Sequence, residues 1–230
     1  MTIRLPHLNL PRLLPLLVFI AVFTMAVRVP ADSDTWWHLA SGRYMVQERH
    51  IPVTDPFSHT RSGMPWIDHG WLAQLLLYGV FALGGWGGLA LSVAALVTLA
   101  WWFVYRQCEG QPYVRAFAVV WGAITSSVIW AARPQLVSFA LAAVVAFLLH
   151  RYKHHNGRLL PWLPLLLFVW ANMHGGYAIA FILILCYLVG EITNRLLGHN
   201  GDRTLSSGQT IHLASVAVLC FVVVGINPHT

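Results

Sequence analysis

Apolar residues run along this chain in stretches near 12–30, 86–105, 116–132, 134–150, 159–173, 176–192 and 211–226, separated by shorter polar segments. Each approaches the roughly 20 residues that a helix needs to cross the hydrocarbon core of a bilayer, and the shorter ones fit with soft boundaries. The pattern predicts an all-α integral membrane protein with about seven transmembrane helices. The first run reads as a span and not a cleaved leader, because Val27-Arg28-Val29-Pro30 offers no small-residue cleavage site and further spans follow. Residues 31–85 then form one large outer loop carrying juxtamembrane amphipathic helices.

The segment at 70–85, "GWLAQLLLYGVFALGG", controls the topology, since counting it as a span would reverse the sidedness of everything after it. Its apolar core suits an interfacial or re-entrant helix better than a span. Charge arbitrates. With a cytoplasmic N-terminus and 70–85 in the outer interface, nine of the 14 basic residues fall inside (Arg4, Arg12, Arg106, Arg115, Arg151, Lys153, Arg158, Arg195 and Arg203). If 70–85 spans, only Arg4, Arg12 and Arg133 remain inside. The positive-inside rule selects the first arrangement.

Composition agrees: 57% of the 230 residues are hydrophobic and 10% charged, far from the ~25% charged of a soluble domain. The net charge of +6 is explained by orientation and not by a nucleic-acid partner, because most basic residues lie in short loops between spans. Cys108, Cys186 and Cys220 have neither disulfide nor metal-ligand spacing and read as inert.

That topology gathers the polar residues at span ends on one side: Asp32, Asp34 and His38; Asp55; Asp68 and His69; Arg133 and Gln135; Asn172 and His174; Asn227 and His229. Five of the chain's eight acids lie in residues 31–69. Ionisable groups concentrated at one face mark a candidate site.

Residues 35–50 predict a helix lying on the membrane, with Trp36, Trp37, Ala40 and Tyr44 on its greasy face. Asp34 and His38 are four apart and share a face with Ser41. Ser33 or Asp34 also suits an N-cap, which accounts for one acid but not two. Asp55 precedes a proline and fits a turn. Asp68 fits a cap for the helix that follows. Arg133, before Pro134, can bind a phosphate through its planar fork or anchor the span end in the headgroups. Asn172 and His174 precede a glycine pair, where a structural histidine is the plainer reading. The "RYKHHNGRL" segment reads as a basic cytoplasmic loop, and Glu191 with Arg195 as an i,i+4 pair.

Taken in order, "DSDTWWHLASGRYMVQERHIPVTDPFSHTRSGMPWIDHGWL", "ARPQLVSF", "WANMHGGY" and "INPH" resemble motifs of bacterial multi-pass proteins related to the C-type (GT-C) glycosyltransferase superfamily. The resemblance covers nearly the whole chain. It implies a bacterial inner-membrane enzyme that moves a sugar from a polyprenyl-phosphate-linked donor to an acceptor on the extracytoplasmic face. It places Asp34 as general base with Asp32 beside it. His38, Asp55, Asp68, His69, Arg133, Gln135, Asn172 and His174, gathered on the same side by the topology, are the candidate substrate-binding residues. A divalent cation, Mg²⁺ or Mn²⁺, would sit on Asp32 and Asp34 if one is used. The resemblance also implies that the chain corresponds to a shared module of seven spans that a variable part would follow. Gly70 departs from the pattern, standing where an acid is expected.

Two other readings compete. A non-catalytic scaffold that binds a lipid headgroup would use the same polar face for attachment. A transporter or flippase would place its polar groups near the bilayer midplane in broken helices, which this pattern does not do.

Overall fold

The computed structural model describes residues 10–29, 32–155, 157–198 and 204–228. Arg4, Arg203 and His229, and the side chain of Arg12, lie outside the described residues. The described chain is helical: α1 (Leu10–Ala26), α2 (Ser33–Glu48), α3 (Trp71–Tyr105), α4 (Pro112–Ser126), α5 (Pro134–His155), α6 (Leu163–Ala171), α7 (Ala178–Leu196) and α8 (Ser207–Val224). Short 3-10 turns continue α4, precede α6 and precede α7. Among the described residues, five helical segments are long and apolar enough to cross a membrane, namely Trp71–Tyr105, Pro112–Ile129, Pro134–His155, Gly175–Leu196 and Ser207–Val224. The remaining two apolar segments, Leu13–Ala26 and Leu160–Ala171, are shorter.

Residues 71–105 form one helical stretch that is not straight. Gly85 has φ 55° and ψ −148°, a backbone that L side chains rarely adopt, and it breaks the helix. A β-carbon built on Gly88 would lie 3.0 Å from the carbonyl oxygen of Val80. Residues eight apart in a straight helix are separated by about 12 Å, so the chain bends sharply there. The limb at 71–84 therefore packs beside α2, and the limb at 86–105 enters the bundle.

Two apolar cores fill the bundle. One joins α1, α4 and the second limb of α3 through Val22, Leu89, Val93, Val97, Val119 and Trp130. The other joins α5 to α8 through Leu149, Leu163, Leu167, Trp170, Ile184 and Leu213. Alanines 90, 94, 100, 116 and 123 are buried where helices approach closely, the packing expected when helices associate inside lipid.

Contacts between helix ends fall into two layers. In one, Arg28 Nη2 donates to the Ser127 carbonyl, Arg133 pairs with Asp32, Leu72 N donates to Asn172 O, and Asn172 Nδ2 donates to Ile226 O. In the other, Arg115 Nη2 donates to Tyr105 O, and the Tyr152 hydroxyl donates to Gln209 O. Lys153 pairs there with the fully buried Glu191, whose Oε2 also accepts from Leu205 N. Glu191 thus pairs with Lys153 and not with its i,i+4 neighbour, because Arg195 turns away to the Leu205 carbonyl and the Thr210 hydroxyl.

Candidate functional site

The site begins at the start of α2. Asp32 is the N-cap, in extended backbone, and its Oδ1 accepts from Asp34 N at 2.9 Å. The cap is one position earlier than Ser33 or Asp34, which frees the Asp34 carboxylate to leave the helix end. Both acids converge on Arg133, the residue before α5: Nη1 lies 3.0 Å from Asp32 Oδ2, and Nη2 pairs with Asp34 Oδ2. Burial opposes ionisation of Asp32, but the Asp34 amide and then Arg133 outweigh it and hold its pKa below the usual value. Thr35 Oγ1 adds a hydrogen bond to Ala132 O. The start of α2 is thereby tied to the segment between α4 and α5.

One turn on, His38 and Ser41 face inward with Leu39, Gly42 and Met45, while Trp36 is 62% exposed and Trp37 43% exposed. The tryptophans stay partly exposed while packing on Trp86 and Trp66, a placement tryptophan favours at an interface, and α2 buries the face that carries Thr35, His38, Ser41 and Gly42. Gly42 explains why: a β-carbon there would meet Gln74 O at 2.3 Å and Tyr78 Cβ at 2.6 Å. Burial drives the pKa of His38 down to about 4, despite Asp34 pulling it up, so the ring is neutral at pH 7.

The loop between α2 and α3 is folded by Asp55. Its Oδ1 accepts from Phe57 N and Ser58 N, its Oδ2 accepts from the Ser58 hydroxyl, and a bridge pairs Thr54 with Pro65. Those hydrogen bonds lower its pKa, the Ser58 hydroxyl most. Aromatic contacts from Tyr44 to Phe57, Phe57 to Trp66 and Trp66 to Trp37 lay this loop against α2. Asp55 is therefore a turn former, as its proline context suggested.

At the start of α3, Gly70 is the N-cap without a side-chain bond, so Asp68 is not the cap itself. Asp68 Oδ1 accepts from Gly70 N and from Gln74 Nε2. Gln74 is fully buried, and its Oε1 has no hydrogen-bond partner among the described residues. Asn172 is spent on architecture: Oδ1 accepts from Trp71 Nε1, and Nδ2 donates to Phe168 O and Ile226 O.

His174 occupies the turn between α6 and α7. Gly176 N can only donate, so the His174 Nδ1 that it meets at 3.1 Å is an acceptor. The Ser138 hydroxyl lies 2.7 Å from the same nitrogen and receives Trp170 Nε1–H at 2.7 Å. Ser138 therefore donates to Nδ1, and a neutral His174 carries its proton on Nε2. Burial, followed by the charge of Arg133, lowers its pKa.

These elements enclose a cavity of about 240 Å³ lined by Asp34, Trp37, His38, Trp66, Ile67, Asp68, His69, Gly70, Gln74, Pro134, Gln135 and His174. Six of the residues expected from the sequence, Asp34, His38, Asp68, His69, Gln135 and His174, meet in its wall. Asp32 and Arg133 stand behind Asp34. Asp55 and Asn172 are engaged in the loop and the helix junction. Sequence reading missed Gln74, Trp66 and Ser138. Gln74 left a signal, a lone amide in the apolar "WLAQLLLY", where an unpaired polar group is costly.

The acidic pair does not fit a resident divalent cation. Arg133 already occupies the space between the carboxylates, Asp32 Oδ1 is committed to the helix cap, and no cluster of three His, Cys, Asp or Glu side chains among the described residues is arranged to hold a metal ion.

Compared with protein-family models, curated proteins and solved structures, the chain matches none significantly.

Proposed function

We propose that this protein is a glycosyltransferase of bacterial inner membranes, moving a sugar from a polyprenyl-phosphate-linked donor to an acceptor at the extracytoplasmic face. In this reading the N-terminus is cytoplasmic, the limb at 71–84 lies in the interface, and seven segments cross. The observation that supports it is the cavity beside Asp34. Its wall comes from α2, the loop after it, the starts of α3 and α5 and the turn before α7, and it collects two carboxylates, imidazoles and amides beside tryptophans. Tryptophan favours the headgroup level, where a donor must present its sugar while its chain stays in lipid.

Asp34 takes the proton of the acceptor hydroxyl as that oxygen attacks the anomeric carbon. The bond from that carbon to the phosphate oxygen breaks, and the lipid phosphate leaves with the electron pair. A positioned base contributes ~10² to 10⁴-fold. A guanidinium has five N–H donors, so Arg133 can orient Asp34 and offer its remaining donors to the phosphate. Neutral His174 offers Nε2–H to a sugar hydroxyl, and the unpaired Gln74 Oε1 accepts from another.

The Asp32–Arg133–Asp34 triad favours a second reading, a membrane scaffold in which the acids serve only to lock α2 to α5. Transfer by the purified full-length protein from radiolabelled polyprenyl-phosphate sugars separates the two. On the enzymatic reading, Asp34→Asn lowers transfer by ~10²-fold or more at nearly unchanged thermal stability. Equal transfer by wild type and Asp34→Asn takes the base role from Asp34, and no transfer by wild type from any such donor leaves the scaffold reading.

A further inference from the structure

We propose that the guanidinium of Arg133 takes the place of a divalent cation between Asp32 and Asp34, so that the Asp-x-Asp pair of this protein binds no Mg²⁺ or Mn²⁺ while Arg133 is present. The inference concerns the unliganded protein and does not depend on the glycosyltransferase reading.

Three observations carry it. First, the two carboxylates approach Arg133 on separate nitrogens, Asp32 Oδ2 on Nη1 at 3.0 Å and Asp34 Oδ2 on Nη2. The planar fork spans both acids, as a cation bridging two carboxylates would. Second, both oxygens of Asp32 are engaged, Oδ1 with Asp34 N and Oδ2 with Arg133. Inner-sphere coordination by Asp32 would have to displace the helix cap or the arginine. Third, the guanidinium itself puts a positive charge in contact with both carboxylates. A second cation placed beside Arg133 would be repelled by that charge at short range.

The acids themselves are suitable ligands. Mg²⁺ and Mn²⁺ favour oxygen donors, and Mg²⁺ is commonly held by one or two carboxylates with waters completing the shell. Removing the guanidinium while leaving a neutral oxygen donor should therefore uncover the site. Arg133→Gln does both, and it releases the Oδ2 atoms of Asp32 and Asp34.

The experiment is a Mn²⁺ titration of the purified full-length protein, followed by loss of the free-ion EPR signal. Wild type is expected to leave Mn²⁺ free. Arg133→Gln is expected to bind one equivalent at least tenfold more tightly than wild type, and Arg133→Gln combined with Asp34→Asn to lose that binding. Stoichiometric Mn²⁺ binding by wild type that disappears in Asp34→Asn overturns the proposal, as does a folded Arg133→Gln protein that binds none. Should Arg133→Gln fail to fold, wild type against Asp34→Asn decides: Asp34-dependent binding overturns the proposal, and its absence upholds the exclusion of metal.

Discussion

Ser138 Oγ lies 2.7 Å from His174 Nδ1, and this contact orients the imidazole at the wall of the cavity. The same hydroxyl receives the indole N–H of the fully buried Trp170. Ser138→Ala therefore leaves a buried indole donor unpaired, which costs about 1–3 kcal/mol. A lowered melting temperature is expected, and an unchanged one would show that water replaces the hydroxyl. Gly176→Ala tests the contact sterically, since the added β-carbon would stand 2.4 Å from Ser138 Oγ.

Gly42 sets the distance between α2 and α3. Gly42→Ala places a methyl group against the Gln74 carbonyl, a backbone atom that cannot move without its helix. Overpacking of this kind costs roughly 1–3 kcal/mol. Thermal unfolding in detergent should reveal it. A variant as stable as wild type would mean that α2 is not seated on α3 as described.

Asp32 and Asp34 should separate by mutation. Asp32→Ala removes the cap of α2 and costs about 1 kcal/mol, while Asp32→Asn keeps most of it. Asp34→Asn leaves the cap intact and loosens only the partly exposed pair with Arg133, which is worth little to stability. Unfolding midpoints should rank Asp32→Ala below Asp34→Asn. The opposite order would place the cap on Asp34.

Acidification should destabilise the protein through His38. Its folded pKa of about 4 lies below the ordinary 6.5, so between those values the unfolded chain binds a proton that the folded protein refuses. Stability from this group is complete above pH 6.5 and falls as pH drops towards 4, by on the order of 3 kcal/mol. Asp34 and Asp32 act to raise the His38 pKa, and Arg133 and His174 to lower it. His174, also lowered, adds loss of the same sign. Comparing melting temperature against pH for wild type and His38→Gln isolates the effect, since the substituted protein should lose less stability across that window. Parallel curves would assign the slope to other groups.

The two layers of helix ends predict opposite sidedness for His59 and His154. With native cysteines replaced, His59→Cys should react with an impermeant thiol reagent added outside intact cells, and His154→Cys only after permeabilisation. Labelling of both from the same side would require a different path for residues 70–105.

Apolar run length was sufficient to read helices long and apolar enough to cross a membrane from the sequence, because a lipid solvent leaves a segment few alternatives to helix. Asp34, His38, Asp68, His69, Gln135 and His174 meet in one cavity wall, in keeping with their positions at the ends of apolar runs, where helices that alternate in direction bring every second connection together. Within the layer, sequence could not separate cavity residues from braces. Asp55 is the exception, marked as a turn by its proline; Asn172 looks as polar as His174, yet its hydrogen bonds are consumed by Trp71, Phe168 and Ile226. The pairing of Arg133 with both acids was equally hidden, because it spans about a hundred residues of chain and depends on how α2 settles against α3. That seating rests on close packing at Gly42 and on the bend at Gly85. Burial and long-range contact, set only when the helices pack, decide which polar groups face the cavity and which hold the protein together.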